Sequence, residues 1–362
     1  MAQKLNYPKS ESELQTIVDT FFTKAKEGKE SGRIFAFKGL LEIINSDVVI
    51  LTAIHNIKGN QGSQTPGSDG ENMQEDILKK DYNEVIERVK STLINYKPRP
   101  VRRVFIPKPG TSEKRPLGIP SIIDRIIQEC VRIVIEPIVE AQFFAHSYGF
   151  RPMRSAQMAI ERTTDIVRKT GCYWVVEGDI SKFFDNVNHR ILLKKLWGMG
   201  IRDKRVLMII KSMLEAGIMN EVQKNEIGTP QGGIISPLLA NVYLDKFDNW
   251  ITREWEEKRT KHQYSTASKR NRALRNGGDR FKPAYLIRYA DDWILITNSK
   301  RNAEKWKYRI AKYLKSNLKL DLSEDKTHIT NIKKKPIRFL GFTFKVIKGK
   351  SRSGYINLMR VN

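Results

Sequence analysis

The sequence predicts an α+β fold, on three observations. Stretches with apolar residues at helical spacing alternate with short β-type runs, and neither kind is confined to one end of the chain. Hydrophobic residues make up 40% of the 362, enough for an extensive core. The strongest β signal, AYLIRYADDWILIT, reads as two strands joined at Ala290-Asp291-Asp292, the hairpin expected of an antiparallel sheet.

Leu14, Ile17, Val18, Phe21 and Phe22 recur at helical spacing, and helices are expected through about Lys58. GNQGSQTPGSDG is too rich in Gly, Ser, Pro and Asn to continue a helix. A charged helix is expected around Ile77 to Leu93. In YKPRPVRRVFIPKPGTSEKRPLGIP, prolines flank Lys108 and a Gly-containing turn separates it from Arg115, which predicts a hairpin carrying basic residues. Ser121 with Asp124 resembles a capping box, and Ile123, Ile126, Ile127, Cys130, Val131 and Val134 then line one face of a helix expected to be largely buried. YWVVEGDI reads as a strand. Helical pieces run from near Asn188 to about Ala216, and the loop IGTPQGGIISP introduces the helix LLANVYLDKFDNWI. Residues 252 to 282 are basic and poorly patterned, as expected of a surface insertion. After the hairpin, helix is expected through Leu318, then short β runs at RFLGFTFKVI and GYINLM.

Charge bounds the partners. Lys plus Arg total 65 against 40 acidic residues, a net +25, and such an excess is most simply offset by a polyanion. Nucleic acid leads over anionic membrane, since no apolar run approaches the ~20 residues of a spanning helix. MAQKLNYPKS lacks the apolar core of a signal peptide. Two cysteines, Cys130 and Cys172, exclude a disulfide framework and a cysteine-based zinc site, and the five scattered histidines give a metal cluster no local support. A reducing cytoplasm, that of a bacterium, is the expected compartment.

Two acidic clusters sit in apolar company. Asp179 follows Trp174-Val175-Val176, and Asp291 and Asp292 occupy the tip of an otherwise apolar hairpin. Carboxylates at the ends of buried strands are costly unless a positive group lies between them, and magnesium suits hard oxygen ligands of this kind. Two such ions can activate an attacking hydroxyl and stabilise a leaving oxygen. Spacing alone leaves the ordinary alternative open: an Asp-Asp pair at a turn is usually just solvated, and Asp179 alone would more often be a strand-end cap.

The surrounding sequence carries a resemblance. Tyr289-Ala290-Asp291-Asp292 looks like the YxDD motif of reverse transcriptases, and GDISKFFDNVNH resembles that family's first catalytic motif, with its metal-binding Asp at Asp179. GTPQGGIISPLLANVYLD, RPLGIPSIIDRIIQ and FLGF match three further blocks in the family's order, and SQTPGSDG with the helices before it resembles the N-terminal extension of group II intron enzymes. The likeness runs from about Asn45 to Phe344.

That resemblance implies a right-hand polymerase palm, an antiparallel sheet backed by helices, with mainly helical fingers and an N-terminal extension. Residues 1–148 would be extension and fingers, 149–186 the first part of the palm, 187–230 more fingers and 231–348 palm with the basic insertion. Residues 349–362 would begin a connection to a missing thumb, so that a fingers-and-palm fragment is expected. Asp179 and Asp291, helped by the backbone carbonyl of Ile180 and by Asp292, would hold two Mg2+ ions, with Mn2+ an acceptable substitute. Lys108 and Arg115 match positions that grip the incoming dNTP, and Gln231 one that contacts its sugar and base. A generic basic hairpin and a flexible Gly-rich loop are the plainer alternatives. Phe184 stands where the family places the ring that collides with a 2′-hydroxyl, though Phe183 or Phe184 could equally be core. Lys326 resembles a lysine proposed as general acid toward pyrophosphate, a solvated lysine being the alternative. Implied partners are an RNA template and primer, group II intron RNA and dNTPs, without a membrane and with a homodimer left open. The implied activity is RNA-directed DNA synthesis with a maturase role in splicing. The alternatives are an RNA-binding splicing cofactor with little polymerase activity and a retron- or defence-type enzyme.

Overall fold

A computed structural model of the chain describes residues 7–107, 112, 114–216, 228, 232–258, 262–276, 281–351 and 354–361. The elements in chain order are α1 (Glu11–Ser31), α2 (Leu40–Ile44), α3 (Asp47–Lys58), α4 (Tyr82–Ile94), β1 (Arg102–Pro107), β2 (Lys114–Ile119), α5 (Ile122–Glu140), α6 (Ala156–Thr170) and β3 (Trp174–Gly178). They continue with α7 (His189–Gly198), α8 (Lys204–Glu215), α9 (Ser236–Glu254), α10 (Ala267–Asn276), β4 (Tyr285–Tyr289), β5 (Asp292–Thr297), α11 (Lys300–Tyr313), β6 (His328–Asn331), β7 (Ile337–Phe339), β8 (Phe342–Ser351) and β9 (Gly354–Val361). Two units form: Met1–Phe143 with Phe184–Tyr243, and Phe144–Phe183 with Leu244–Asn362.

The first unit is built around α5. Ser121 Oγ accepts the Asp124 N–H at 3.1 Å and donates to the Asp124 carboxylate at 2.7 Å, so the helix starts where the capping pattern requires. The helix is buried on nearly all sides, and α1, α2, α3 and α4 pack against it. The Gly- and Pro-rich loop before α4 is tied down by two guanidinium groups. Arg125 donates to the carbonyls of Gly62 and Thr65, and Arg102 donates twice to that of Pro66. Composition predicts the break in the helix but not these long-range anchors. Strands β1 and β2 pair antiparallel as a two-stranded ribbon, from Arg102 opposite Ile119 to Pro107 opposite Lys114.

The second unit holds a four-stranded antiparallel sheet in the order β4-β5-β3-β6. Its inner strands are buried on both faces, which is why they read as continuous apolar runs and not as alternation. Val175, Ile287, Ile294 and Ile296 join a cluster with Ile166 and Val167 of α6. On the opposite face Trp293 meets Phe247 of α9 edge to face, with ring centroids 5.8 Å apart. Helix α11 packs on β3, β5 and β6, and β7-β8-β9 form a second antiparallel sheet.

Three features differ from the reading of the sequence. Helix α6 and strand β6 form where the pattern did not mark them. The expected surface insertion also contributes structure: α10 packs on α6 and buries Leu274 among the sheet's core residues. One apolar residue on an otherwise charged turn is too weak a signal for periodicity to catch. No helix among the described residues is long and apolar enough to cross a membrane.

Candidate active site

Register places the carboxylates. Strand β3 pairs antiparallel with β5 up to Gly178 opposite Trp293, so Asp179 directly follows the last paired residue of β3 and Asp292 directly precedes Trp293 on β5. Strand β4 closes on β5 with Tyr289 opposite Asp292, leaving Ala290 and Asp291 as a two-residue tip. Such tips require left-handed backbone, and Ala290 adopts φ +58°. Side-chain alternation is therefore fixed on all three strands, and a slip of one residue would turn the acids away. Gly178 permits the close pairing, because a Cβ there would lie 2.0 Å from the buried Trp293 ring.

Beyond β3, the Ser323 N–H donates to the Asp179 carbonyl and the Ser181 N–H to the Asp321 carbonyl, each at 2.9 Å. Ile180 faces Leu322 in this short antiparallel bridge, whose two hydrogen bonds do not use the Ile180 carbonyl. The Lys326 ammonium lies 3.2 Å from the Asp179 carboxylate, and the lysine itself is well exposed.

The acids feel one another. Burial comes first in lifting the Asp291 carboxyl above its ordinary range, and the charge of Asp179 adds to it; Arg288 and Lys326 pull the other way. Asp292 is pushed up to about 6, first by desolvation and then by the charges of Asp291 and Asp179, against the pull of Lys326. Among the described residues no group of three His, Cys, Asp or Glu side chains is gathered closely enough to hold an ion as it stands. The donor set nonetheless suits a hard divalent cation. It offers only oxygen ligands, their mutual repulsion is incompletely offset by Arg288 and the exposed Lys326, and such a cation would relieve it.

The other expected site residues divide into those placed and those outside the description. Phe183 is buried and Phe184 is half-buried, opening a short 3₁₀ turn over Phe184–Asn186 in the first unit. Of the two rings, Phe183 is the core residue. Lys108 and Gln231 lie outside the described residues. Arg115 stands on β2 opposite Ile106, and its side chain lies outside them.

Two features escaped the sequence reading. One is a buried ion pair behind the carboxylate turn, between Arg288 and Asp248. An Arg one residue before Tyr289 and an Asp in an amphipathic helix were visible, but nothing in the sequence joined them. The other is an open concavity of about 730 Å³ in the first unit, lined by His189, Arg190, Lys194, Trp197 and Lys211 among others. The Arg202 guanidinium lies over the Trp197 ring, 4.2 Å from its centroid. Cations beside an aromatic ring suit nucleic acid.

Residues 106–344 match the family described as reverse transcriptase (RNA-dependent DNA polymerase), and the chain belongs to that family. The group II intron-encoded protein LtrA of Lactococcus lactis subsp. cremoris is 34% identical over 358 residues, covering 87% of this chain and 58% of its own length. Protein YkfC of Escherichia coli (strain K12) is 34% identical over 335 residues, covering 88% and 86%. Nuclear intron maturase 2, mitochondrial, of Arabidopsis thaliana is 30% identical over 172 residues, covering 35% and 23%. The chain thus spans a little over half of the length of LtrA. The antiparallel sheet backed by helices and the mainly helical first unit are the α+β fold that family membership implies, and divalent metal ions are general to the family.

Proposed function

We propose that this chain is an RNA-directed DNA polymerase of the group II intron type, which extends a primer on an RNA template and binds intron RNA to assist splicing. The observation that carries this reading is the convergence of Asp179, Asp291 and Asp292 at the ends of adjoining buried strands, where the charge of Asp179 helps raise the Asp291 carboxyl and the charges of Asp291 and Asp179 help raise that of Asp292. A solvated turn has no need of such an arrangement.

Asp179, Asp291 and Asp292, with the Ile180 carbonyl, would hold two magnesium ions. When bound, the ions supply the charge that makes a primer 3′-hydroxyl nucleophilic and steadies the departing pyrophosphate. Lys108 and Arg115 grip the triphosphate and Gln231 contacts the sugar and base of the dNTP. Phe184 excludes a 2′-hydroxyl. Lys326, beside Asp179, donates a proton to the pyrophosphate. Residues 149–186 and 231–348 are read as palm and residues 1–148 and 187–230 as extension and fingers, with template RNA held by the surplus of positive charge, including the concavity beside Trp197. A maturase role is supported by the intron-related names of the relatives. The cytosol suits both roles.

The test is primer extension on an RNA template with magnesium and dNTPs, run beside Asp291→Ala and a filter-binding assay for structured RNA. Extension by the wild type, lost in the variant with RNA binding kept, is expected. Synthesis that survives in Asp291→Ala would sink the assignment. Binding without synthesis by the wild type would favour the splicing-cofactor reading.

A further inference from the structure

We infer that Arg288, anchored by Asp248, is the positioning residue that fixes the carboxylate turn; the inference rests on the polymerase reading above. Arg288 lies on β4, and its side chain runs back through the core of the second unit. Its Nε donates to both Asp248 carboxylate oxygens, at 2.8 and 3.0 Å, and its Nη2 to one of them at 2.6 Å. Nη1 donates at 2.7 Å to the carbonyl of Ala290, the residue immediately before Asp291. Both side chains are 1% exposed.

The turn needs such support. Ala290 is a non-glycine residue at φ +58°, a conformation that costs energy and persists only where its surroundings hold it. One wall is backbone. Arg288 N–H donates to the His146 carbonyl, Tyr148 N–H donates to the Arg288 carbonyl, and Gly149 lies so close that a Cβ there would come 2.3 Å from the Ala290 nitrogen. The other wall is the guanidinium. Its planar fork holds the carboxylate with one edge and the turn with the remaining arm, which a lysine ammonium does not reproduce. Asp248 therefore orients Arg288, Arg288 orients the Ala290 peptide, and that peptide sets the direction in which Asp291 leaves the turn. Neither Arg288 nor Asp248 need touch substrate or metal.

A structural role and a positioning role differ in what a double substitution does. Replacing a buried ion pair by apolar residues of similar volume generally leaves a fold as stable as before, whereas removing one partner does not. The test uses the full chain as Arg288→Met with Asp248→Leu, as Arg288→Lys and as Asp291→Ala. The readouts are denaturant midpoint, Mn2+ affinity by titration of the free-ion EPR signal, and primer extension. The double variant is expected to keep the wild-type midpoint, to bind Mn2+ about 10-fold more weakly and to extend primers at least 30-fold more slowly. Arg288→Lys keeps a positive charge but loses the fork; it is expected to lower the midpoint modestly, to stay folded and to weaken Mn2+ about 3-fold, which covers the case of a double variant that fails to fold. Wild-type Mn2+ affinity in a folded double variant, or in Arg288→Lys, overturns the inference. If Asp291→Ala binds Mn2+ as the wild type does, the metal-site reading itself fails and takes the inference with it. If the wild type binds Mn2+ through Asp291 but extends no primer, the Mn2+ affinities alone decide.

Discussion

Two antiparallel hairpins in this chain carry charge at or near their tips, and they are built in opposite ways. In β1–β2 the exposure of β1 alternates along its length, Phe105 is 56% exposed, and the charges are cationic. In β4–β5 the strands are buried on both faces, a guanidinium braces the turn from behind, and the charges are anionic. The difference fits what each charge would do under the proposed polymerase function. A cation that meets a flexible phosphate backbone gains from reach and loses little from imprecision, since screened contacts give affinity without demanding one geometry. Carboxylates that share a divalent ion gain only if their directions are fixed, and fixing them calls for buried strands and a braced turn.

The comparison would break most visibly if an acid could be removed from the buried hairpin as cheaply as a cation from the exposed one. Asp179→Asn and Asp291→Asn keep shape and lose charge. Each is expected to lower the extension rate by roughly 10³-fold, the equivalent of about 4 kcal/mol of transition-state stabilisation, with template affinity within about 3-fold of wild type. Single-turnover extension and filter binding measure the two. A loss of less than 10-fold in both variants would mean that these acids are not the ligands.

The next effect is steric. Gly178→Ala directs a methyl group into the Trp293 ring, which is itself only 1% exposed. Overpacking of this kind is expected to destabilise the chain by about 2–3 kcal/mol in urea unfolding, and to spread β3 from β5 at the end of the ladder next to Asp179 and Asp292. In a Trp293→Leu background the same substitution should cost less than 1 kcal/mol, because the clashing ring is gone. Equal costs in the two backgrounds would show that Gly178 serves something other than strand approach.

A smaller effect is pH-dependent. Desolvation and the charges of Asp291 and Asp179 push the Asp292 carboxyl up to about 6 from an ordinary 3.8, although the residue is exposed and solvent screening keeps the effect on stability small. Between those values the folded state holds more protons than the unfolded one, so the associated stability is fully present below about pH 4 and is lost as pH rises through 6. Asp292→Asn removes that loss. The stability of the variant relative to wild type, without divalent ions, is expected to grow from pH 4 to pH 7. Added Mg2+ should shrink the difference at pH 7. A constant difference across that range would mean that Asp292 does not carry the strain.

How much of this was legible in sequence follows from the range of each interaction. The capping pattern at Ser121, the two-sided apolar strands around Ala290-Asp291-Asp292 and the break at GNQGSQTPGSDG are local, and local signals were enough to read them. Family likeness then joined Asp179 to the hairpin, which spacing alone left open, because 112 residues separate Asp179 from Asp291. What remained hidden is contact chemistry across long sequence separation. Asp248 sits 40 residues before Arg288, Arg125 reaches back to Gly62 and Thr65, and α10 packs on α6 with Leu274 buried in the sheet's core cluster. No periodicity records such pairings, since each residue looks ordinary where it stands.

The smallest effect tests the exposed hairpin. Lys114 begins β2 opposite Pro107 and is solvent-exposed. If its role is a screened contact with phosphate, Lys114→Ala should weaken RNA binding by only a few-fold, uniformly across sequences. It should also lower the slope of log affinity against log salt by roughly 0.7–0.9, the release of one counterion. Extension at saturating template should stay within about 2-fold of wild type. Filter binding at four salt concentrations separates this from the alternatives. An unchanged slope with unchanged affinity would mark Lys114 as merely solvated. A collapse in extension at saturating template would mean that the ribbon fixes geometry as strictly as the carboxylate hairpin does, and the contrast between cations on an exposed ribbon and acids on buried, braced strands would no longer hold.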